Sequence, residues 1–243
     1  MKKFLSSILL FSLFLKPCFA DGIDPNALLV CNLNGTDAST PSNADESQYA
    51  RTATWVGNAQ LDTAQFKYAT ASALYDGSGD SVTFPDSADW DLGTGDFTLE
   101  CFVRFALIGS AAQLITVGDG GSGPGVRMMP LATAIRVNIN GGADLDFAWI
   151  PLIDTWYHVA ICRASGTLRA FVDGSQVGAD TSAGTDFGTV ADTVKINRAD
   201  ANTLNGWIDG VRISNIARYT GTFTPPTGNF TAPDTSKFLQ VFD

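Results

Sequence analysis

Apolar and polar residues alternate along short stretches of this chain. The stretch 97–105 sets the pattern. Phe97, Leu99, Cys101, Val103 and Phe105 fall on one face, and Thr98, Glu100, Phe102 and Arg104 on the other. A period of two marks a β-strand with one face turned to a core. Residues 27–33, 53–56, 113–117, 134–140, 144–149, 156–163, 168–172, 193–197 and 206–214 read as further strands. Between them stand Asn140-Gly141-Gly142, Ala164-Ser165-Gly166 and Asp173-Gly174. Asn-Gly and Asp-Gly pairs accept the positive φ that tight hairpins demand. Beyond the first twenty residues, no window carries a helical apolar period. Many short strands punctuated by turns predict an all-β sandwich of two antiparallel sheets.

At 243 residues the chain has room for one large all-β domain or two small ones. It contains no repeat and no linker, so residues 21–243 read as one sandwich. From about residue 217 the tail loses its alternation, and Pro225 and Pro226 favour an extended path. Its aromatics are expected to pin it across the sandwich edge. Hydrophobic residues make up 45%, which is enough for a core.

Charge narrows the partners. The net charge is −10, and losing Lys2, Lys3 and Lys16 with the first twenty residues would leave −13. So acidic a surface repels phosphate backbones and anionic headgroups, which excludes nucleic acid and membrane docking. Among the 25 acids only Glu46 and Glu100 are Glu. Asp bonds nearby backbone amides and favours turns, which fits a helix-poor fold.

Residues 1–20 have the layout of a secretory signal peptide: basic Met1-Lys2-Lys3, an apolar run over 4–15, and Ala20 before Asp21. That run is too short to span a bilayer as a helix. The expected location is secreted or surface-displayed. Cleavage would leave Cys31, Cys101 and Cys162, an odd count that permits one bridge at most. Their spacing does not suit zinc.

Catalysis is not expected. A retaining glycosidase needs two carboxyl groups roughly 5–5.5 Å apart, yet Glu100 has Thr98 and Phe102 as its neighbours on that strand face, and Glu46 falls in a loop. The single histidine, His158, reads as structural beside Trp156 and Tyr157.

Several segments taken in order carry a resemblance. They are Leu28-Leu29-Val30-Cys31-Asn32-Leu33-Asn34-Gly35-Thr36, then Gly57-Asn58-Ala59-Gln60-Leu61-Asp62-Thr63-Ala64 with the turn from Asp76 to Asp80. Trp156-Tyr157-His158-Val159-Ala160, Leu168 to Gly174, and Ile208-Asp209-Gly210-Val211-Arg212-Ile213 follow. Together they resemble a laminin G-like jelly roll of the concanavalin A-like lectin/glucanase class. The family more often has Asp at position 34 and Glu at position 210. The tail from Ala217 to Pro226 is similar to a subgroup frequent in bacteriophage virion and tail-associated proteins. This fold hosts lectins, glycosidases and structural modules alike, so it implies no ligand by itself.

The resemblance implies calcium at a loop rim. Asp76 and Asp80 flank Gly77-Ser78-Gly79, and Asp209 is the third expected ligand, near that turn. The competing reading is that these acids cap turns. For a glycan, Trp149 before the Pro151 loop is the candidate platform, and Asn197, Arg198 and Asp200 are the candidate polar contacts. The sequence thus points to a non-enzymatic adhesion or carbohydrate-recognition module whose partner is a glycan or cell-surface polysaccharide, with room for homo-oligomerisation. The alternative is a structural phage virion or appendage protein.

Overall fold

A computed structural model describes residues 24–109, 112–119, 123–198 and 203–230. The signal-peptide reading of residues 1–20 lies outside them. Among the described residues the chain forms fifteen strands and one short 3-10 turn, Ala88–Trp90. Two sheets face each other. One has the order β13-β12-β11-β6-β15-β4-β3, made of Ser175–Ser182, Thr167–Val172, Trp156–Ala164, Phe97–Leu107, Asn205–Ser214, Ser72–Asp76 and Gln60–Asp62. Strand β1 (Ala27–Cys31) also pairs with β15. The other has the order β10-β9-β8-β7-β14-β5-β2, made of Leu145–Ala148, Ala134–Ile139, Gly125–Pro130, Ile115–Gly118, Val194–Ile196, Ser81–Phe84 and Thr54–Val56. All pairings are antiparallel.

The alternation in β6 sets its role. Phe97, Leu99, Cys101, Val103 and Phe105 point into the core between the sheets, with Ile115, Val117, Val126 and Ile135 in the same core. Five strands escape the periodicity. Strands β3 and β5 are very short, and β4 and β8 carry apolar residues on both faces. Strand β13 lies exposed at a sheet edge, where nothing demands apolar residues.

The turns follow their chemistry. Asn140-Gly141, Ser165-Gly166 and Asp173-Gly174 all have positive φ. The last two close two-residue hairpins, with Ala164 opposite Thr167 and Val172 opposite Ser175. The 76–80 turn is not a hairpin. It carries the chain from β4 in one sheet to β5 in the other.

The outer face of β6 is not solvated as its polar residues suggest. Thr98, Glu100 and Phe102 are all buried. The segment after β15 runs over this face rather than along the sandwich edge. Arg218 N–H donates to Thr98 Oγ1 at 2.9 Å. Tyr219 and Phe223 stack with centroids 3.5 Å apart and pack edge-on to Phe171. Tyr68 Oη donates to the Pro226 carbonyl, and Phe230 N–H donates to Asn32 Oδ1. Gly174 makes the crossing possible, because a Cβ there would sit 1.9 Å from the Phe223 carbonyl oxygen. Gly210 stands in a bulge of β15 at φ +59°, with Phe230 3.0 Å from where its Cβ would be. The family's Glu would be strained there and would collide with the strap.

Sealed under the strap is a charged cluster. Glu100 Oε1 accepts from Arg212 Nε at 2.7 Å. Its Oε2 accepts from Tyr219 Oη at 2.8 Å and faces His158 Nε2 at 3.0 Å. An ionised carboxylate only accepts, so His158 carries its proton on Nε2. Burial alone would raise the Glu100 carboxyl. Arg212 and His158 more than reverse that and hold it well below the usual carboxylate range.

Arg163, fully buried on β11, closes one end of the sandwich. Its guanidinium donates to the carbonyls of Gly93, Gly95 and Thr185 at 2.7, 2.7 and 3.0 Å. Phe187 and Phe97 lie over it at 4.2 and 4.9 Å. Cys31, Cys101 and Cys162 are all buried free thiols. Cys101 and Cys162 belong to opposite faces of their sheet. Cys31 and Cys101 both lie opposite Val211, on either side of β15, roughly 9.6 Å apart, too far to bridge.

Candidate ligand-binding site

The end of the sandwich opposite Arg163 carries a cleft of about 140 Å³. Strand β6 runs out here, β15 begins and β8 ends, so three connections converge. Phe105, Leu107, Ile108, Pro130, Leu131 and Pro151 are its apolar lining. Asp76, Thr203 and Asn205 are its polar lining, with Asp76, Asn205 and Leu107 in register on three adjacent strands. Leu107, Ile150, Leu152 and Ile153 are more than half exposed around it, at 62, 71, 62 and 51%.

The loop after β10 is held in place. Asp154 N–H donates to the Phe105 carbonyl at 2.8 Å, and its carboxylate pairs with Arg104 at 2.9 Å. Leu152 N–H donates to Tyr157 Oη at 3.0 Å. Trp149 supports this loop from behind. Its ring packs edge-on to Tyr157 at 5.1 Å and lies 6.2 Å from Phe105. It is half-buried against the core rather than an open platform.

The polar wall depends on the 76–80 turn. Gly77 and Gly79 adopt φ of +91° and +73°. Asp80 points inward. Its Oδ1 accepts from Asn58 N–H at 2.6 Å and its Oδ2 from Asp76 N–H at 2.7 Å. Burial raises its carboxyl. Gly57 lets the neighbouring turn approach, since a Cβ there would lie 2.4 Å from Asp80 Oδ1. Asp76 points outward and accepts from Asn58 Nδ2 at 2.8 Å and Ser78 N–H at 2.9 Å. The Asn58 amide keeps its carboxyl below its ordinary value. Asn205, paired with Asp76 across the strands, donates to its carbonyl at 3.2 Å. The Thr203 hydroxyl is buried in the cleft wall and has no hydrogen-bond partner among the described residues.

The expected calcium ligands do not form one site. Asp209 lies four residues along β15 from Asn205, roughly 13 Å from the Asp76 turn. Its Oδ2 instead accepts from Lys67 and Tyr68 N–H at 2.6 and 2.8 Å. Asp80 already has both oxygens bonded to backbone N–H groups. Among the described residues no three His, Cys, Asp or Glu side chains cluster as a metal would require. The turn-capping role describes these acids.

The expected glycan contacts also separate. Asn197 is fully buried, donating to the Asp80 carbonyl at 3.1 Å and accepting from Leu204 N–H at 2.8 Å. It braces the cleft wall and does not face a ligand. Arg198 donates to the Asp119 carbonyl at 2.8 Å and faces its carboxylate at 3.5 Å. Four strand steps, roughly 19 Å, separate β10 beside Trp149 from β14 beside Arg198. Asp200 lies outside the described residues. The sequence reading missed Thr203, Asn205, Leu107 and Ile108. One signal was present: Trp149-Ile150-Pro151-Leu152-Ile153 is an apolar run in a loop that has no core to bury it.

Among the described residues no helix is long and apolar enough to cross a membrane. Comparison with curated proteins found no match. Among solved structures, the chain is similar to domain 4 of AbnA, an extracellular arabinanase from Geobacillus stearothermophilus solved with arabinotriose. The TM-score is 0.58 at 15% identity, over 83% of this chain and 96% of that one. It is also similar to the binding domain of Paraclostridial Mosquitocidal Protein 1, with TM-score 0.61 at 12% identity, over 80% of this chain and 50% of that one. A structure reporting that cell entry of botulinum neurotoxin type C depends on interaction with two ganglioside molecules gives TM-score 0.58 at 14% identity, over 80% and 49%. The chain thus spans about half the length of the two toxin chains. At such identities these likenesses establish the fold alone. The sequence model of the laminin G type described as the concanavalin A-like lectin/glucanases superfamily matches residues 76–220. The chain belongs to the concanavalin A-like lectin/glucanase superfamily.

Proposed function

We propose that this chain is a non-catalytic glycan-recognition module, secreted or displayed at a surface, that binds through the cleft beside Asp76 and Thr203. The observation that carries this reading is the cleft itself. Its lining combines apolar side chains with a few polar groups, which is the composition of small-ligand sites. The relatives in fold add support, since one was solved with arabinotriose and another concerns interaction with gangliosides. A binding role also suits the fate of Glu100. Its two oxygens are bonded to Arg212, His158 and Tyr219 beneath the strap, so it has no access to a scissile bond.

The test is a glycan array probed with the purified protein, once with calcium and once with chelator, alongside a hydrolysis assay on any glycan bound. Specific binding without hydrolysis is the expected result. Binding that chelation abolishes would require a metal site other than the three acids above. No binding by the folded protein in either buffer would overturn the proposal in favour of a rigid scaffold, the virion or appendage reading.

A further inference from the structure

The chemistry of the cleft walls selects among glycans, given that the glycan-binding reading holds. Among the described residues no Lys, Arg or His lines the cleft. The polar wall is rich in acceptors. Asp76 accepts from Ser78 N–H and Asn58 Nδ2 and shares a side-chain hydrogen bond with Asp80, which leaves part of its acceptor capacity free. Its carboxyl stays ionised at neutral pH, because the Asn58 amide holds it below its ordinary value. Asn205 spends one amide proton on the Asp76 carbonyl. Thr203 adds a buried hydroxyl with no partner among the described residues, able to donate or accept.

A ligand at this wall must therefore bring donors, and it meets a fixed negative charge with no cation to offset it. Sugar hydroxyls meet that demand. A carboxylate, sulfate or phosphate on the sugar would meet the exposed Asp76 carboxylate, and like charges repel. The apolar lining is mostly aliphatic, Leu107, Ile108, Leu131 and Pro151 together with Phe105, so it suits the C–H face of a ring. Size limits the ligand further. About 140 Å³ is less than half of the roughly 300 Å³ at which drug-sized pockets begin. That volume suits one ring rather than several.

We infer that the cleft recognises a single neutral sugar residue, the end unit of a glycan, with its C–H face on Leu107, Ile108 and Pro151 and its hydroxyls on Asp76, Thr203 and Asn205, and that it rejects acidic sugars.

The experiment measures affinity for paired neutral and carboxylated versions of a glycan that binds on the array. The corresponding free monosaccharide serves as competitor. The wild type should bind the neutral version at least about tenfold more tightly, and the monosaccharide should compete. Thr203→Val keeps the shape and removes the hydroxyl, so affinity should fall about tenfold with an unchanged unfolding midpoint, the loss of one buried hydrogen bond. Leu107→Lys, at an exposed rim position, should narrow the preference for neutral over carboxylated glycan several-fold.

Three outcomes would overturn the inference while leaving glycan binding intact. They are equal or tighter binding of the carboxylated member, a monosaccharide that does not compete, and Thr203→Val and Leu107→Lys both behaving as wild type. A folded wild type that binds no glycan at all would instead remove the binding reading and this inference with it.

Discussion

The Tyr219 hydroxyl donates to Glu100 Oε2 at 2.8 Å, across 119 residues of sequence. That bond fastens the C-terminal strap to the central strand of the larger sheet. Tyr219 also accepts from Arg212 Nη2 at 3.3 Å, so one phenol bridges both halves of the buried ion pair. Burial and the Glu100 charge push its own ionisation well up, so it remains a donor at every physiological pH. Tyr219→Phe keeps the stacking on Phe223 and removes both bonds. The expected cost is about 1.5–3 kcal/mol in urea unfolding, the range for a hydrogen bond to a charged group. Amide exchange of residues 217–230 should rise more than that of β6. Equal exchange in both would mean that the strap is not held by this bond.

Stability should depend on pH from two sides. Burial pushes the Asp209 carboxyl up to about 7, against the pull of the Tyr68, Lys67 and Gly210 N–H groups. An unfolded Asp titrates near ~3.9. The folded form thus holds a proton that the unfolded form has lost. The resulting stability is complete below about pH 4 and disappears as pH rises through about 7. Its upper size is roughly 4 kcal/mol. Asp209→Asn should abolish the decline between about pH 4 and about 7, as read by thermal unfolding at fixed ionic strength. A slope unchanged in Asp209→Asn would place the titrating group elsewhere.

Glu100 works in the opposite sense. Its folded carboxyl lies below the ordinary range, so its contribution is present above about pH 4.3 and is lost as pH falls. Glu100→Gln leaves Arg212 buried without a counter-charge. It should cost about 3–5 kcal/mol at pH 7, and the loss should shrink toward pH 3. A constant loss over that range would show that packing, not charge, carries the effect.

Arg163 ties residues 93–95 to Thr185 through carbonyl oxygens and packs against two phenyl rings. Lysine keeps the charge but not the planar fork that reaches three carbonyls. Arg163→Lys should lower stability by about 2 kcal/mol and Arg163→Met by about 3 kcal/mol or more, because buried acceptors then go unpaired. Urea midpoints measure both. If lysine restored full stability, the fork geometry would be irrelevant.

The three buried thiols should all be free in the native protein. A thiol reagent should modify none of Cys31, Cys101 and Cys162 until the protein unfolds, and then all three without reductant. Two or fewer reactive thiols after unfolding would reveal a bridge that the strand register forbids.

Much of the sandwich was legible in the chain, for a local reason. Alternation in 97–105 reports which side chains face the core, because a strand turns successive side chains to opposite faces. Asn140-Gly141, Ser165-Gly166 and Asp173-Gly174 report tight hairpins because few other residues tolerate positive φ. Those signals need only neighbours in sequence. Strand β13 sends none, because an exposed edge places no demand on its side chains.

The site and the buried cluster needed the tertiary structure. Glu100 looked solitary because its partners, His158, Arg212 and Tyr219, come from other strands and from the strap, and no spacing rule links them. Asp209 looked like a companion of Asp76, yet strand rise carries it out of reach, to the backbone of Lys67 and Tyr68. Thr203, Asn205, Leu107 and Pro151 line one cleft only because three distant connections end at one end of the sandwich. Periodicity along a strand determines which way a side chain points. Which residues it meets is decided by register and by the paths of the connections between strands, through contacts that exist only once the sheets have closed.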